Sequence, residues 1–216
     1  GLYLDADMIL TPNLINSLVE TIKLSKEKGL YIKEKILGKS LFNLSRDFER
    51  QFYEESNIDA IRFFSIESFS KLGGFDENIT GQEDWDFSQR YKEKYKTKIL
   101  KKIIDKKLII KNKEFYNQFI DLRKIKSECI LHNEINLTLQ QHVSKKKYYL
   151  KTLNVYKKKY EKNKSFKEQF TFGGRLRTIY NSKNFFQLFL KPHLTFLFII
   201  FKILIFFKIG LYKKHD

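Results

Sequence analysis

The sequence contains one cysteine, Cys129. A single thiol excludes an intrachain disulfide and any multi-cysteine metal knuckle, so a buried, inert thiol in a reducing compartment is the expectation. The N-terminal run Gly1-Leu-Tyr-Leu-Asp5 has no basic region leading into an apolar stretch and a small-residue cleavage site, so this run is not expected to be a signal peptide. No internal repeat is present. Acid is scarce, with 25 Asp and Glu against 42 Lys and Arg and a net charge of +17. Such a balance favours an anionic partner, whether nucleic acid, a phosphate-rich ligand or an acidic lipid surface. Lysine, isoleucine, asparagine and phenylalanine are abundant throughout, so background composition explains much of that charge. The acids, by contrast, cluster, and nucleic acid is not the expected partner.

At 216 residues the chain suits one sizeable α/β domain with appendages. Leu2-Tyr3-Leu4 reads as a buried strand delivering Asp5 and Asp7 to its C-terminal end, where ligands of open α/β sheets bind. Thr11-Pro12 then offers an N-cap and a first-turn proline for a helix running toward Gly29. A strand is predicted over Leu30 to Leu37, an amphipathic segment from Leu41 to Phe52, a strand from Ile58 to Phe64 and a short helix from Ile66 to Leu72. An acidic loop follows Gly73-Gly74, and Trp85 to Tyr95 suits a helix opened by carboxylates. The stretch from Lys96 to Lys126 reads as strand, loop and helix. Leu137 to Tyr160 is helical and basic, free to lie against anionic headgroups or to face water.

Leu194 to Tyr212 is apolar and aromatic but carries Lys202 and Lys208. Mid-segment lysines cost ~2.5–3.5 kcal/mol each near a bilayer centre, so an in-plane helix is preferred to a span, with soluble packing as the third reading. Snorkelling lysines would reconcile a span with the sequence.

Two constellations carry chemistry. Asp5-Ala6-Asp7 places hard oxygen donors two residues apart, on one side of an extended backbone, where Mg²⁺ or Mn²⁺ would bridge them to a diphosphate. An aspartate pair capping a turn is the plainer reading of so short a motif. Gly73-Gly-Phe-Asp-Glu77 and Gly81-Gln-Glu-Asp-Trp-Asp86 set a glycine-flexed acidic loop before a helix, where a partly desolvated carboxylate could act as general base. An acid-rich helix N-terminus would look the same.

Tyr3-Leu-Asp-Ala-Asp7, Gly73-Gly-Phe-Asp-Glu77 and Glu83-Asp-Trp-Asp86, together with Glu49-Arg50, Ala60 to Phe64, Ile130 to Glu134 and Lys145 to Tyr149, resemble family 2 glycosyltransferases of GT-A fold over some two thirds of the chain. The resemblance implies a partial GT-A mixed sheet flanked by helices over residues 1–136, a basic helical extension over 137–190 and a membrane-associating segment over 191–216. It implies that an N-terminal nucleotide-binding half is missing, consistent with a chain that starts without methionine inside a strand-like run. Asp5 and Asp7 would hold the divalent cation and Asp5 would also lie near the nucleotide. Asp84, with Glu83, would be the catalytic base of an inverting transfer from a nucleotide-sugar donor to a glycan or lipid-linked acceptor, at the cytoplasmic face of the membrane.

Three further residues carry two readings each. His132 is a third metal ligand or a packed histidine. Arg62 contacts a phosphate or sugar, or forms a structural ion pair. Trp85 stacks on a sugar or packs in the core. A non-catalytic basic membrane- or nucleic-acid-binding protein and a metal-dependent nucleotidyltransferase are the competing functions, the latter releasing pyrophosphate where the transferase releases a nucleoside diphosphate. Extra sequence from Asp105 to Leu122 departs from the family pattern.

Overall fold

The computed structural model describes residues 1–24, 28–104, 107, 114 and 125–210. Apart from Lys107 and Glu114, the segment from Asp105 to Leu122 lies outside the described residues, as does most of the strand, loop and helix expected between Lys96 and Lys126. The protein is α/β, with two small sheets flanked by helices and an apolar C-terminal helix.

The strand expected over Leu30 to Leu37 is two strands serving two sheets. β2 (Gly29–Tyr31) sits centrally between β4 (Ile61–Phe64), antiparallel, and β5 (Thr97–Ile99), parallel. β3 (Glu34–Leu37) runs parallel to β6 (Ile130–Asn133), which pairs antiparallel with β1 (Met8–Leu10). The handover is visible in the backbone: the Tyr31 carbonyl accepts from Leu100 N at 2.9 Å, and the Lys33 carbonyl accepts from Ile130 N at 2.9 Å. A break two residues long thus turns the chain from one sheet into the other, and hydrophobic alternation alone does not reveal it.

The opening residues are extended but form no full strand. Tyr3 N donates to the Arg62 carbonyl at 2.8 Å and Phe64 N to the Gly1 carbonyl at 3.0 Å, adding this segment to the edge of β4. Asp5 to Asp7 then form a turn rather than an extended pair, closed by Met8 N to the Asp5 carbonyl at 3.1 Å. Helix α1 (Leu14–Lys23) starts later than Thr11-Pro12 suggests, with Asn13 at its N-cap. The Thr11 hydroxyl is engaged elsewhere: it is buried, donates to Glu128 at 2.5 Å and accepts from Cys129 N at 2.9 Å.

Helix α2 (Leu41–Arg50) is capped by Ser40, whose hydroxyl accepts from Asn43 N at 3.0 Å, satisfying one orphan amide of the first turn. It buries Phe42 and Phe48 and continues into a short 3₁₀ turn at Gln51–Tyr53. Helix α3 (Ile66–Lys71) ends before Gly73 and Gly74, and α4 (Glu83–Lys94) packs Phe87 and Tyr91 onto Tyr31, Ile61, Phe64 and Ile99 of the first sheet. A second cluster, Leu14, Leu18, Leu30, Ile32, Leu100 and Ile130, seats α1 against both sheets.

The basic stretch after β6 is divided into α5 (Leu139–Leu150), opened by a Thr138/Gln141 capping box, and α6 (Leu153–Tyr160). Neither is a uniformly solvated face. Val143 of α5 packs with Phe42 and Ile205, and Tyr156 and Tyr160 of α6 pack with Ile79. Lys159 reaches back to Asp76 at 3.2 Å and Asp86 at 2.6 Å. Helices α7 (Lys164–Phe170), α8 (Phe172–Tyr180) and α9 (Gln187–Leu190) lead into α10 (Pro192–Gly210).

α10 is the one helix among the described residues long and apolar enough to cross a membrane by length and composition, with mean hydropathy 1.9 over Pro192–Ile209. Its sidedness comes from packing. Phe198 and Ile205, with Leu194, Phe201 and Ile209, lie on α2 and its neighbours, at the three-to-four-residue spacing of one helical face. Lys202 shares that face and contacts Glu49 at 2.5 Å. Lys202 is therefore paired inside the protein and has no need to snorkel. Phe196, Ile199, Ile203, Phe206 and Phe207 form the outward, exposed face.

Candidate functional site

The two sheets and α5 enclose a cleft of about 690 Å³, and every site residue singled out in the sequence lines it: Asp5, Asp7, Arg62, Glu83, Asp84, Trp85 and His132. Pairing of β1 with β6 sets Met8 opposite His132, and the Asp7 carbonyl accepts from Asn133 N at 2.7 Å. Residues 125 positions apart in sequence are thereby adjacent, with His132 Nε2 3.1 Å from Asp7 Oδ1. Ligand atoms of Asp5, Asp7 and His132 all lie within 4.8 Å of one another. Two carboxylates and one imidazole suit Mn²⁺ and, less closely, Mg²⁺, which prefers oxygen. The donor set therefore fits a divalent cation by its chemistry.

Behind this trio stands Glu34, which no motif in the sequence singles out. Its side chain is 4% exposed and lies between Arg62 and Arg50, with Oε1 3.0 Å from Nη2 of each. Oε2 faces His132 Nδ1 at 3.9 Å. Burial alone would raise the Glu34 pKa, but the two guanidinium groups, with help from His132, hold it well below the usual carboxylate range. For His132, burial lowers the pKa, while the interaction with Glu34 and the charge of Asp7 raise it, and the net direction is upward. Glu34 thus sets a carboxylate beneath the imidazole, within ion-pair range of its Nδ1.

Of the two readings of Arg62, the ion pair is the one the structure shows. Arg62 forms the structural ion pair with Glu34, reaches Asp5 Oδ2 at 3.4 Å, and lies over the Tyr3 ring at 5.1 Å. Its Nη1 is nevertheless buried without a partner, as is Glu83 Oε2. A buried polar atom left unsatisfied carries a penalty of ~1–3 kcal/mol, so these two mark where a polar ligand would complete the wall.

Opposite the trio, the first turn of α4 presents Glu83 and Asp84. Asp84 Oδ1 accepts from Trp85 N at 2.7 Å. Burial, followed by the repulsion of Glu83 and Asp5, outweighs the attraction of Arg62 and the Trp85 amide, pushing the Asp84 carboxyl up to about 6. The loop before it turns at Gly81, φ +84°, where an added Cβ would stand 2.3 Å from the Tyr149 ring of α5. Glycine is required there for the backbone angle and for that close approach. Trp85 favours its packing role: its ring meets Phe170 edge-on at 6.0 Å and is covered by the Arg175 guanidinium at 5.8 Å.

The α5 side of the cleft is cationic. Arg46 is paired bidentately with Glu134, with both N···O distances 2.5 Å. Lys146 and Arg175 have no carboxylate partner among the described residues. Burial and the nearby Lys202, Arg175 and Arg46, only partly offset by Glu49, pull the Lys146 ammonium down to about 7. In a chain with lysine in nearly every segment, nothing in the sequence distinguishes this one.

Fold and site together define an α/β protein whose cleft sets acidic and imidazole groups at one end and basic groups at the other. The chain matches no protein-family model, no curated protein and no solved structure.

Proposed function

We propose that the protein is an inverting, metal-dependent glycosyltransferase of GT-A type, transferring a sugar from a nucleotide-diphosphate donor to a hydroxyl of a lipid-linked or glycan acceptor. The observation that carries the proposal is the convergence of Asp5, Asp7 and His132 with Asp84 in one cleft. The acids that were far apart in sequence share one solvent-accessible volume, as a donor and acceptor meeting at one reaction centre require.

Asp5, Asp7 and His132 would hold the divalent cation, whose charge offsets that developing on the departing diphosphate. Asp84 accepts the proton of the acceptor hydroxyl. The oxygen attacks the anomeric carbon from the face opposite the diphosphate, the bond to the diphosphate oxygen breaks, and configuration inverts. A carboxyl with a pKa near 6 suits this role, because it is ionised at neutral pH yet more basic than an ordinary aspartate. Glu34 and Arg50 fix Arg62 and His132 in place, and Arg62 Nη1 is free to donate to a donor phosphate or sugar oxygen. Trp85 supports the acidic turn by packing.

Attachment to the cytoplasmic face of a membrane fits α10. Its inner face is committed to the domain, and a perpendicular span would draw the charged residues of α2 into hydrocarbon, so we assign it an in-plane position with Phe206 and Phe207 toward the lipid. A nucleotidyltransferase could use the same carboxylates and metal, but would release pyrophosphate.

The test screens nucleotide-sugar donors with Mn²⁺ and with Mg²⁺, scoring the nucleoside diphosphate released and the anomeric configuration of the product. Asp7→Ala and Asp84→Asn should each lower kcat/KM by about 100-fold or more. Undiminished transfer in both variants would defeat the assignment.

A further inference from the structure

The basic end of the cleft is unexplained by donor chemistry. Lys146 enters it from α5 and Arg175 from α8, with Arg46 of α2 beside them and Lys202 of α10 close behind. Two of these four cations are neutralised: Arg46 by Glu134 and Lys202 by Glu49. Arg175 uses its Nε on the Gln169 carbonyl at 2.6 Å and spreads its plane over Tyr53 at 5.4 Å and Trp85 at 5.8 Å. Lys146 has neither a hydrogen-bond acceptor nor a carboxylate among the described residues.

Bringing cations together in a half-closed site is unfavourable unless something anionic joins them, and among the described residues Glu49 and Glu134 are already paired with Lys202 and Arg46, with no carboxylate paired to Lys146 or Arg175. Arg175 also lies on the tryptophan that follows Asp84, so this positive end adjoins the base rather than the metal trio. An anion held here belongs to the molecule that Asp84 deprotonates. The helix that brings Lys202 to this place exposes Phe196, Ile199, Ile203, Phe206 and Phe207 on its other side.

We propose that Lys146 and Arg175 form a phosphate-binding subsite for the acceptor, and that the acceptor is a phosphate-bearing lipid whose hydrocarbon lies along the outer face of α10. The identity of the bound molecule as an acceptor rests on the transferase reading; the anion site itself does not. A phosphate there accepts charge-assisted hydrogen bonds from the ammonium and the guanidinium, relieving the repulsion among the clustered cations.

The experiment measures binding of inorganic pyrophosphate to the intact chain by calorimetry in EDTA, so that the metal trio is not engaged, for the wild type and for Lys146→Gln, Arg175→Gln, Asp7→Ala and the exposed-site control Lys158→Gln. Saturable binding weakened about tenfold in the first two variants and unchanged in the last two is expected. Vesicles containing phosphatidic acid should compete with pyrophosphate in the wild type. Circular dichroism confirms that each variant is folded, and Lys146→Arg should restore binding. Equal affinity in wild type and Lys146→Gln would overturn the subsite, as would binding that requires a divalent cation and disappears in Asp7→Ala. Vesicles that fail to compete would overturn the lipid assignment and give the site to a soluble phosphate. Because the assay needs neither metal nor donor, its failure leaves the transferase test untouched, and the reverse holds.

Discussion

Asp84 shows how a local choice sets chemistry. It occupies the first turn of α4, where the helix dipole favours an anion, yet burial and the nearby Glu83 and Asp5 carry its pKa up to about 6. As the proposed base, Asp84 must be ionised to accept a proton, so kcat/KM should rise about tenfold per pH unit below pH 6 and level off above it. Asp84→Asn should remove that limb from whatever activity remains, and an unchanged profile in the variant would assign it to another group. At Gly81, alanine would meet both a left-handed φ and the Tyr149 ring. Gly81→Ala should destabilise the fold by more than ~1 kcal/mol in urea denaturation and separate α5 from the acidic turn. A neutral effect would mean that the loop has another conformation available.

Residue chemistry was the most legible part of the sequence. Asp5, Asp7, Glu83 and Asp84 are carboxylates grouped at element ends in a lysine-rich chain, and a grouped minority stands out. Glu34 did not, because it lay inside a run predicted as one strand, where an acid reads as the solvent face. Only the break between β2 and β3 turns it beneath His132.

Among the elements, α2 joins the parts. Its Arg46 holds Glu134, its Glu49 holds Lys202 of α10, and its Arg50 holds Glu34 and Asp59. Glu134 is 6% exposed, so Arg46→Ala would leave a nearly buried carboxylate unpaired, and a loss of about 3–5 kcal/mol is expected from urea denaturation. The double variant Arg46→Met with Glu134→Leu should recover much of it. A loss below ~1 kcal/mol in the single variant would show that Glu134 is solvated. Amphipathic periodicity revealed α1 and α2, and the carboxylates that open it revealed α4 to within two residues. Periodicity could not reveal α10's inner face, which is apolar on all sides except for the lysines and is distinguished only by what covers it.

For the whole molecule, charge pairing links stability to pH. Burial raises the Glu49 carboxyl, but Lys202 and then Arg46, with Tyr53, hold it down to about 2 against an ordinary value of 4.5, and Glu34 is depressed further still. Their ionised forms favour the folded state, so this contribution is complete above about pH 4.5 and is lost as pH falls through the folded pKa values. Asp59, raised from 3.8 to about 6 chiefly by burial, acts oppositely: its contribution is present below pH 3.8 and is lost as pH rises through 6. Glu49→Gln should flatten the acid limb by roughly 1–2 kcal/mol between pH 6 and pH 3, read from urea midpoints. An equally steep limb in the variant would place the acid sensitivity elsewhere.

The bulk charge of +17 suggested an anionic partner without locating it, because net charge does not say where the cations stand relative to the acids. In the fold, part of the basic stretch is spent on internal pairs, as Lys159 shows, while Lys146 faces the cleft. In the proposed site Asp5, Asp7 and His132 form one cation site while Asp84, in the same cleft, does different work. Titration with Mn²⁺ followed by electron paramagnetic resonance tests it most directly. One bound ion in the wild type and in Asp84→Asn, with binding weakened at least about tenfold in Asp7→Ala and His132→Ala, is the expected result. Equal Mn²⁺ binding in all four proteins, or none in the wild type, would contradict it.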